Sequence, residues 1–120
     1  TLPHSMTADE LAAHIGHSLG DVVRVMGDPS VVINKVGMCS GAGADEWHEA
    51  AAMGAQAFLT GEVKHHIALE ASAAGVVMLE AGHHATEEPG IFALANALQN
   101  SALVVQCNVR VTTSRVKAYQ

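Results

Sequence analysis

Cationic side chains are scarce in this chain. Lysine and arginine together number six against twelve aspartates and glutamates, for a formal charge of −6. A phosphate-backbone footprint requires a basic patch, so nucleic acid is not an expected partner. The same deficit argues against an anionic membrane surface. No apolar run approaches the roughly 20 residues of a transmembrane helix, and no signal-peptide pattern is visible. Cysteine is nearly absent too. Cys39 and Cys107 are far apart and lack metal-ligand spacing, so reduced thiols in a cytoplasmic protein are expected, not a disulfide. Aromatic residues are restricted to Trp47, Phe58, Phe92 and Tyr119. The core must therefore be built from small aliphatic side chains, which suits close packing of helices on a sheet.

What the chain does have is histidine. There are eight in 120 residues, and four stand in two pairs, His65-His66 and His83-His84. The length suits one domain. The chain starts at Thr1, not at methionine, and Thr1-Leu2-Pro3 reads as a linker, so a piece of a longer polypeptide is the expectation.

Local patterns set out the elements. Thr7 and Glu10 form a capping box for a helix over Thr7–Leu19, which Gly20 ends; His14 and His17 read as surface histidines on it. Val22–Met26 and Val31–Met38 read as strands joined by the turn Gly27-Asp28-Pro29-Ser30, giving a hairpin on the N-terminal side. Helices are expected over Ala44–Met53, Lys64–Ala74 and from Thr86 or Glu88 to Gln99, the last with Pro89 in its first turn. Strands are expected over Ala55–Thr60, Val76–Ala81 and Leu103–Val109. Arg110–Gln120 reads as an extra edge strand or a tail. The alternation of strands and helices with short connections implies right-handed crossovers. The expected fold is α/β: a three-layer-like single domain over 1–120, with a mixed, mostly parallel sheet flanked by helices.

A parallel sheet brings three strand-to-helix loops to one edge, where open α/β sheets keep their ligands. The first, Cys39-Ser40-Gly41-Ala42-Gly43, is small-residued. It is either a tight turn or the lining of a ligand cleft, through Ser40, Gly41 and Gly43. It is not a dinucleotide fingerprint, because Glu46 stands where a glycine is required. The second, Thr60-Gly61-Glu62-Val63-Lys64-His65-His66, offers Glu62, Lys64 and His66 as acid/base groups or phosphate contacts, or else as a solvated helix face. The third, Gly82-His83-His84-Ala85-Thr86-Glu87, is the densest in ligating side chains. On a helical turn His83 and Glu87 share a face with Cβ atoms about 6 Å apart, a spacing that serves a surface pair or two ligands of one metal. Zinc, manganese and iron all accept imidazole with carboxylate. His84 and Glu88 repeat the spacing on another face, and His84 also lines the cleft.

These three segments, in this order, resemble the NIF-three-like family, whose members are commonly named dinuclear metal-centre proteins or "GTP cyclohydrolase 1 type 2". The resemblance rests chiefly on Thr60–His66 and Ala81–Glu87 and covers nearly the whole chain. It implies the C-terminal lobe of a two-lobed α/β protein. It also implies His83 and Glu87 as ligands of a two-metal site whose other ligands, a His-His pair and an aspartate among them, come from an N-terminal lobe that this chain does not contain. Ring-shaped hexamers and metal-dependent hydrolysis of a nucleotide or phosphoester are further implications. The site would be completed by the missing lobe or by a partner chain. The alternative is a non-catalytic assembly module of a homo-oligomer.

Overall fold

Residues 1–114 are described by the structure, a computed structural model. Contacts divide the chain into two compact units, Thr1–Thr86 and the residues from Glu87 onward.

The first unit begins with a short strand β1 (Met6–Thr7) that runs straight into helix α1 (Ala8–Leu19). The capping box is present: the Glu10 N–H donates to Thr7 Oγ1 at 3.2 Å, and the Thr7 N–H donates to Glu10 Oε2 at 2.8 Å. Gly20 closes the helix at φ 67°, a left-handed conformation that costs glycine nothing. His14 and His17 are exposed on it. The elements that follow are β2 (Arg24–Met26), β3 (Val32–Ile33), β4 (Val36–Cys39), α2 (Trp47–Ala52, entered through a 3₁₀ turn at Ala44–Glu46), β5 (Ala57–Thr60), α3 (His65–Ala73) and β6 (Val77–Glu80).

The main sheet has the order β2-β6-β5-β4. β4, β5 and β6 are parallel; β2 is antiparallel to β6. The sheet is mixed and helices cover both faces, as the α/β pattern implies. Successive residues of β5 and β6 bury to opposite sides. Ala57, Val77 and Leu79 meet Ala8, Leu11 and Ala12 of α1. Phe58 and Met78 meet Trp47 of α2 and Ile67 and Ala71 of α3. Strands buried on both faces carry continuous apolar runs rather than alternating ones, which is how Val76–Leu79 reads.

Five expectations are corrected. No hairpin joins Val22–Met26 to Val31–Met38. β2 pairs with β6 instead (Arg24↔Glu80), and β3 pairs with β1 (Met6↔Ile33). The stretch Val31–Met38 is not one strand but two. Gln56 Oε1 accepts from the N–H groups of Asn34 (3.0 Å) and Lys35 (2.8 Å), so a side chain takes the place of ladder partners at the break. The linker-like start is tied down: the Leu2 N–H donates to the Asn34 carbonyl at 2.7 Å, and Leu2 packs on the core.

The fourth correction concerns helix α4, which spans His83–Gln99 and so starts earlier than expected. Pro89 lies inside it, not in its first turn, and there it removes one intrahelical N–H donor. Gly82, at φ 85°, makes the sharp exit from β6 that allows the early start.

In the second unit α4 continues and is followed by α5 (Ala102–Gln106). This is the fifth correction, since a strand is expected over Leu103–Val109. Ser101 caps the helix by accepting from the Val104 N–H, and Asn108 takes the left-handed conformation just beyond its end. These two local signals outweigh the β-branched pair Val104-Val105. Gln99 accepts from the Val111 N–H at 2.8 Å and donates to the Val109 carbonyl at 3.3 Å. Of the expected tail, residues 110–114 form neither helix nor strand, and residues 115–120 lie outside the described ones.

Candidate functional site

Because β4, β5 and β6 run parallel, the turns that leave them sit together beyond their C-terminal ends. The Gly41 carbonyl is the hub. It accepts from the Gly61 N–H (2.9 Å), the Glu62 N–H (3.2 Å) and the buried Thr60 hydroxyl (3.2 Å). The next link is the Gly82 N–H, which donates to the Gly61 carbonyl at 3.0 Å. Thr86 closes the ring. Its Oγ1 accepts from the Gly41 N–H at 3.0 Å, and its hydroxyl hydrogen faces the carbonyls of Gly82 (2.9 Å) and His83 (3.0 Å). Three loops far apart in sequence are thus held by backbone bonds and the hydroxyls of two threonines, Thr60 and Thr86.

Glu62 and His83 meet across this junction. His83 Nδ1 lies 3.0 Å from Glu62 Oε1. Both side chains are open to solvent, 39% for His83 and 60% for Glu62, so the pair contributes little to stability. Its value is geometric: a carboxylate on one ring nitrogen fixes the tautomer and the ring's orientation. Beneath it, Glu80 closes β6. Glu80 Oε2 accepts from the Val63 N–H at 2.9 Å, and Oε1 pairs with the Arg24 guanidinium at 3.0 Å.

A family model, Duf34/NIF3 (NGG1p interacting factor 3), matches residues 1–119. The chain belongs to the Duf34/NIF3 family. It is similar to the "GTP cyclohydrolase 1 type 2 homolog" of Deinococcus radiodurans, with 38% identity over 100 residues, 83% of this chain and 38% of that protein. A Mycobacterium leprae protein of the same name is 33% identical over 119 residues, 96% of this chain and 31% of that protein. Among solved structures, Staphylococcus aureus protein SA1388 superposes with a TM-score of 0.87 at 28% identity, covering 98% of this chain and 38% of that one. The chain therefore spans less than two fifths of the length of these Duf34/NIF3 relatives.

Within this Duf34/NIF3 chain the structure joins Glu62, Gly41 and His83 at one edge. Gly43 sits where a Cβ would collide with the Cys39 side chain, so the first loop is a tight turn at that residue. Ser40 is exposed and Gly41 buried. Lys64 is the N-cap residue of α3 and His66 lies in its first turn. Both are exposed, and among the described residues their side chains make no hydrogen bond or ion pair. His84 is half-buried, Glu87 exposed; both lie in the opening turns of α4 with His83. Among the described residues no group of three or more His, Cys, Asp or Glu side chains is arranged to hold a metal ion. Both cysteines are free. No helix among the described residues is long and apolar enough to cross a membrane. Sequence reasoning passed over Glu80 and the hydroxyl of Thr86. The signal for Glu80 was available: it is a lone carboxylate at the end of an otherwise apolar strand.

Proposed function

We propose that this chain is the metal-binding lobe of a dinuclear metal-dependent hydrolase acting on a nucleotide or phosphoester, as the names of its relatives suggest, and that it works in the cytoplasm. The observation that carries this reading is the Glu62–His83 contact at 3.0 Å, on the edge where three loops converge. Metal-ligating histidines almost always give their second ring nitrogen to a carboxylate or carbonyl. With Nδ1–H donated to Glu62, Nε2 is the ligating nitrogen of His83. Glu87 stands four residues on in the same helix, the spacing that presents two side chains on one face.

The donor set fits a share of a metal site. Imidazole with carboxylate suits zinc, manganese or iron, but a catalytic zinc takes three protein ligands, and His83 with Glu87 makes two. The remainder is assigned to residues outside this chain, either the remaining length that the relatives possess or a partner copy. When bound, the ions supply an activated water and stabilise the leaving oxygen. Glu62 orients His83. Lys64 and His66, exposed on the neighbouring turn, are assigned to phosphate contact and proton transfer, with Ser40, Gly41, Gly43 and His84 lining the approach. Metal analysis of protein purified without chelator tests the assignment. His83→Ala and Glu87→Ala should each strip the metal, and Glu62→Gln should weaken binding by about 10–100-fold. Equal metal content in all four proteins sinks the reading.

A second reading is a non-catalytic assembly module of a homo-oligomer. The apolar residues Ile91, Leu94 and Leu98 of α4, spaced at three and four, are exposed by 52%, 56% and 46%, as an association face would be. Light scattering decides it: a monodisperse monomer, with or without metal, removes this reading.

A further inference from the structure

We propose that Glu80 is the positioning residue of the Glu62–His83 pair, held in place by Arg24. Glu62 hangs from a loop that has no regular structure of its own, so something must fix the direction in which its carboxylate reaches. Two bonds do so, one on each side of its Cα. The Glu62 N–H is held by the Gly41 carbonyl at 3.2 Å, and the next N–H in the chain, that of Val63, is held by Glu80 Oε2 at 2.9 Å. The two peptide planes that flank the Glu62 Cα are thus each held by one bond, and the side chain between them reaches His83 at 3.0 Å.

Glu80 can do this because of where it stands. It is the last residue of β6 and faces Arg24 directly in the antiparallel register with β2. The Arg24 guanidinium takes Oε1 at 3.0 Å, which leaves Oε2 turned toward the Val63 N–H. The Glu80 side chain is 20% exposed while Arg24 is 70% exposed, so the carboxylate is the sheltered member and the arginine its outer brace. A bond between a carboxylate and a backbone N–H is the stronger kind of hydrogen bond. A one-residue extension of the sheet thus carries the rigidity of β6 into a loop, and through it to an imidazole that Glu80 does not touch. The proposal rests on the Glu62–His83 contact and on the bonds of Glu80 to Val63 and Arg24, not on a metal or a reaction, so its failure and that of the hydrolase reading are separable.

The test reads the His83 ring nitrogens by 15N NMR of the intact chain, above the ordinary imidazole titration range. The His83 signal is assigned by its loss in His83→Gln. The wild-type protein should show the Nδ1-protonated tautomer, and Glu62→Ala should shift the ring-nitrogen signals away from it. Glu80→Gln keeps an oxygen for the Val63 N–H and should retain the wild-type shifts. Glu80→Asp is one methylene too short to span Arg24 and Val63. It should move His83 most of the way to the Glu62→Ala position, while His14 and His17 on α1 keep their shifts. A merely structural role would leave the tautomer unchanged in every folded variant. Glu80→Ala should behave as Glu80→Asp does; if it fails to fold, Glu80→Asp still decides. Wild-type His83 shifts in Glu80→Asp overturn the proposal.

Discussion

Gly61 and His83 leave no room between them. A β-carbon built on Gly61 would stand 2.7 Å from the His83 Cα and 2.6 Å from the Gly41 carbonyl oxygen. All the nearby atoms belong to backbone, so nothing flexible can give way. Gly61→Ala should therefore push the second loop off the other two. The expected cost is about 1–3 kcal/mol, the usual range for overpacking, read as a lower urea midpoint. The His83 tautomer should change with it. A midpoint equal to that of the wild-type protein would mean the loops part easily.

Thr86 makes the next prediction. Its Oγ1 is the acceptor for the Gly41 N–H, in a part-buried position. Thr86→Val keeps the shape and removes the acceptor, which strands a backbone donor. The loss should be about 1–3 kcal/mol, whereas Thr86→Ser, which keeps the hydroxyl, should lose much less. Similar losses in the two variants would show that the methyl group matters and the hydrogen bond does not.

Much of this arrangement was legible in the sequence, and the physical reasons differ by element. The capping box at Thr7 and Glu10 and the stop at Gly20 are local, so α1 could be read to within a residue. The three parallel strands follow from apolar runs separated by helical stretches, and the convergence of their loops follows from being parallel. Strand pairing is not local. Nothing within Val22–Val36 reveals that β2 will lie against β6 and β3 against β1; the turn residues Gly27–Ser30 suit a hairpin equally well. The break at Asn34-Lys35 depends on Gln56, a residue two elements away. At the site, His83 and Glu62 were each conspicuous, but their contact requires the loops to be docked. Glu80 was passed over because its role is exercised on a neighbour's backbone and carries no motif.

The face of the sheet under α2 and α3 should be the more sensitive to truncation. Phe58 is 2% exposed and packs among Trp47, Ile67 and Met78. It also lies against Gly37, where a Cβ would approach its ring to 2.9 Å, so the site is filled from the β4 side as well. Phe58→Ala should cost about 3–5 kcal/mol. The void would be lined by Trp47, Ile67 and Met78. A two-state urea titration checks it, and a loss below about 1 kcal/mol would mean that the helices collapse onto the cavity.

Asp28 provides a pH dependence with a defined sign. The Ser30 hydroxyl and the Ser30 N–H both donate to its Oδ1, at 2.6 and 2.9 Å. These bonds favour the charged form and hold the carboxyl below its ordinary value of 3.8. A depressed folded value means the stabilisation is fully present above the unfolded value and is lost as the pH falls through the folded one. The carboxylate is fully exposed, so the effect is small. Ser30→Ala removes the hydroxyl, the larger of the two causes. The variant should be less stable than the wild-type protein at neutral pH, and the difference should shrink once the pH drops below about 3.8. Urea midpoints for both proteins across that interval measure it. A difference that stays constant into strong acid would assign the effect of Ser30 to the turn itself, not to the charge on Asp28.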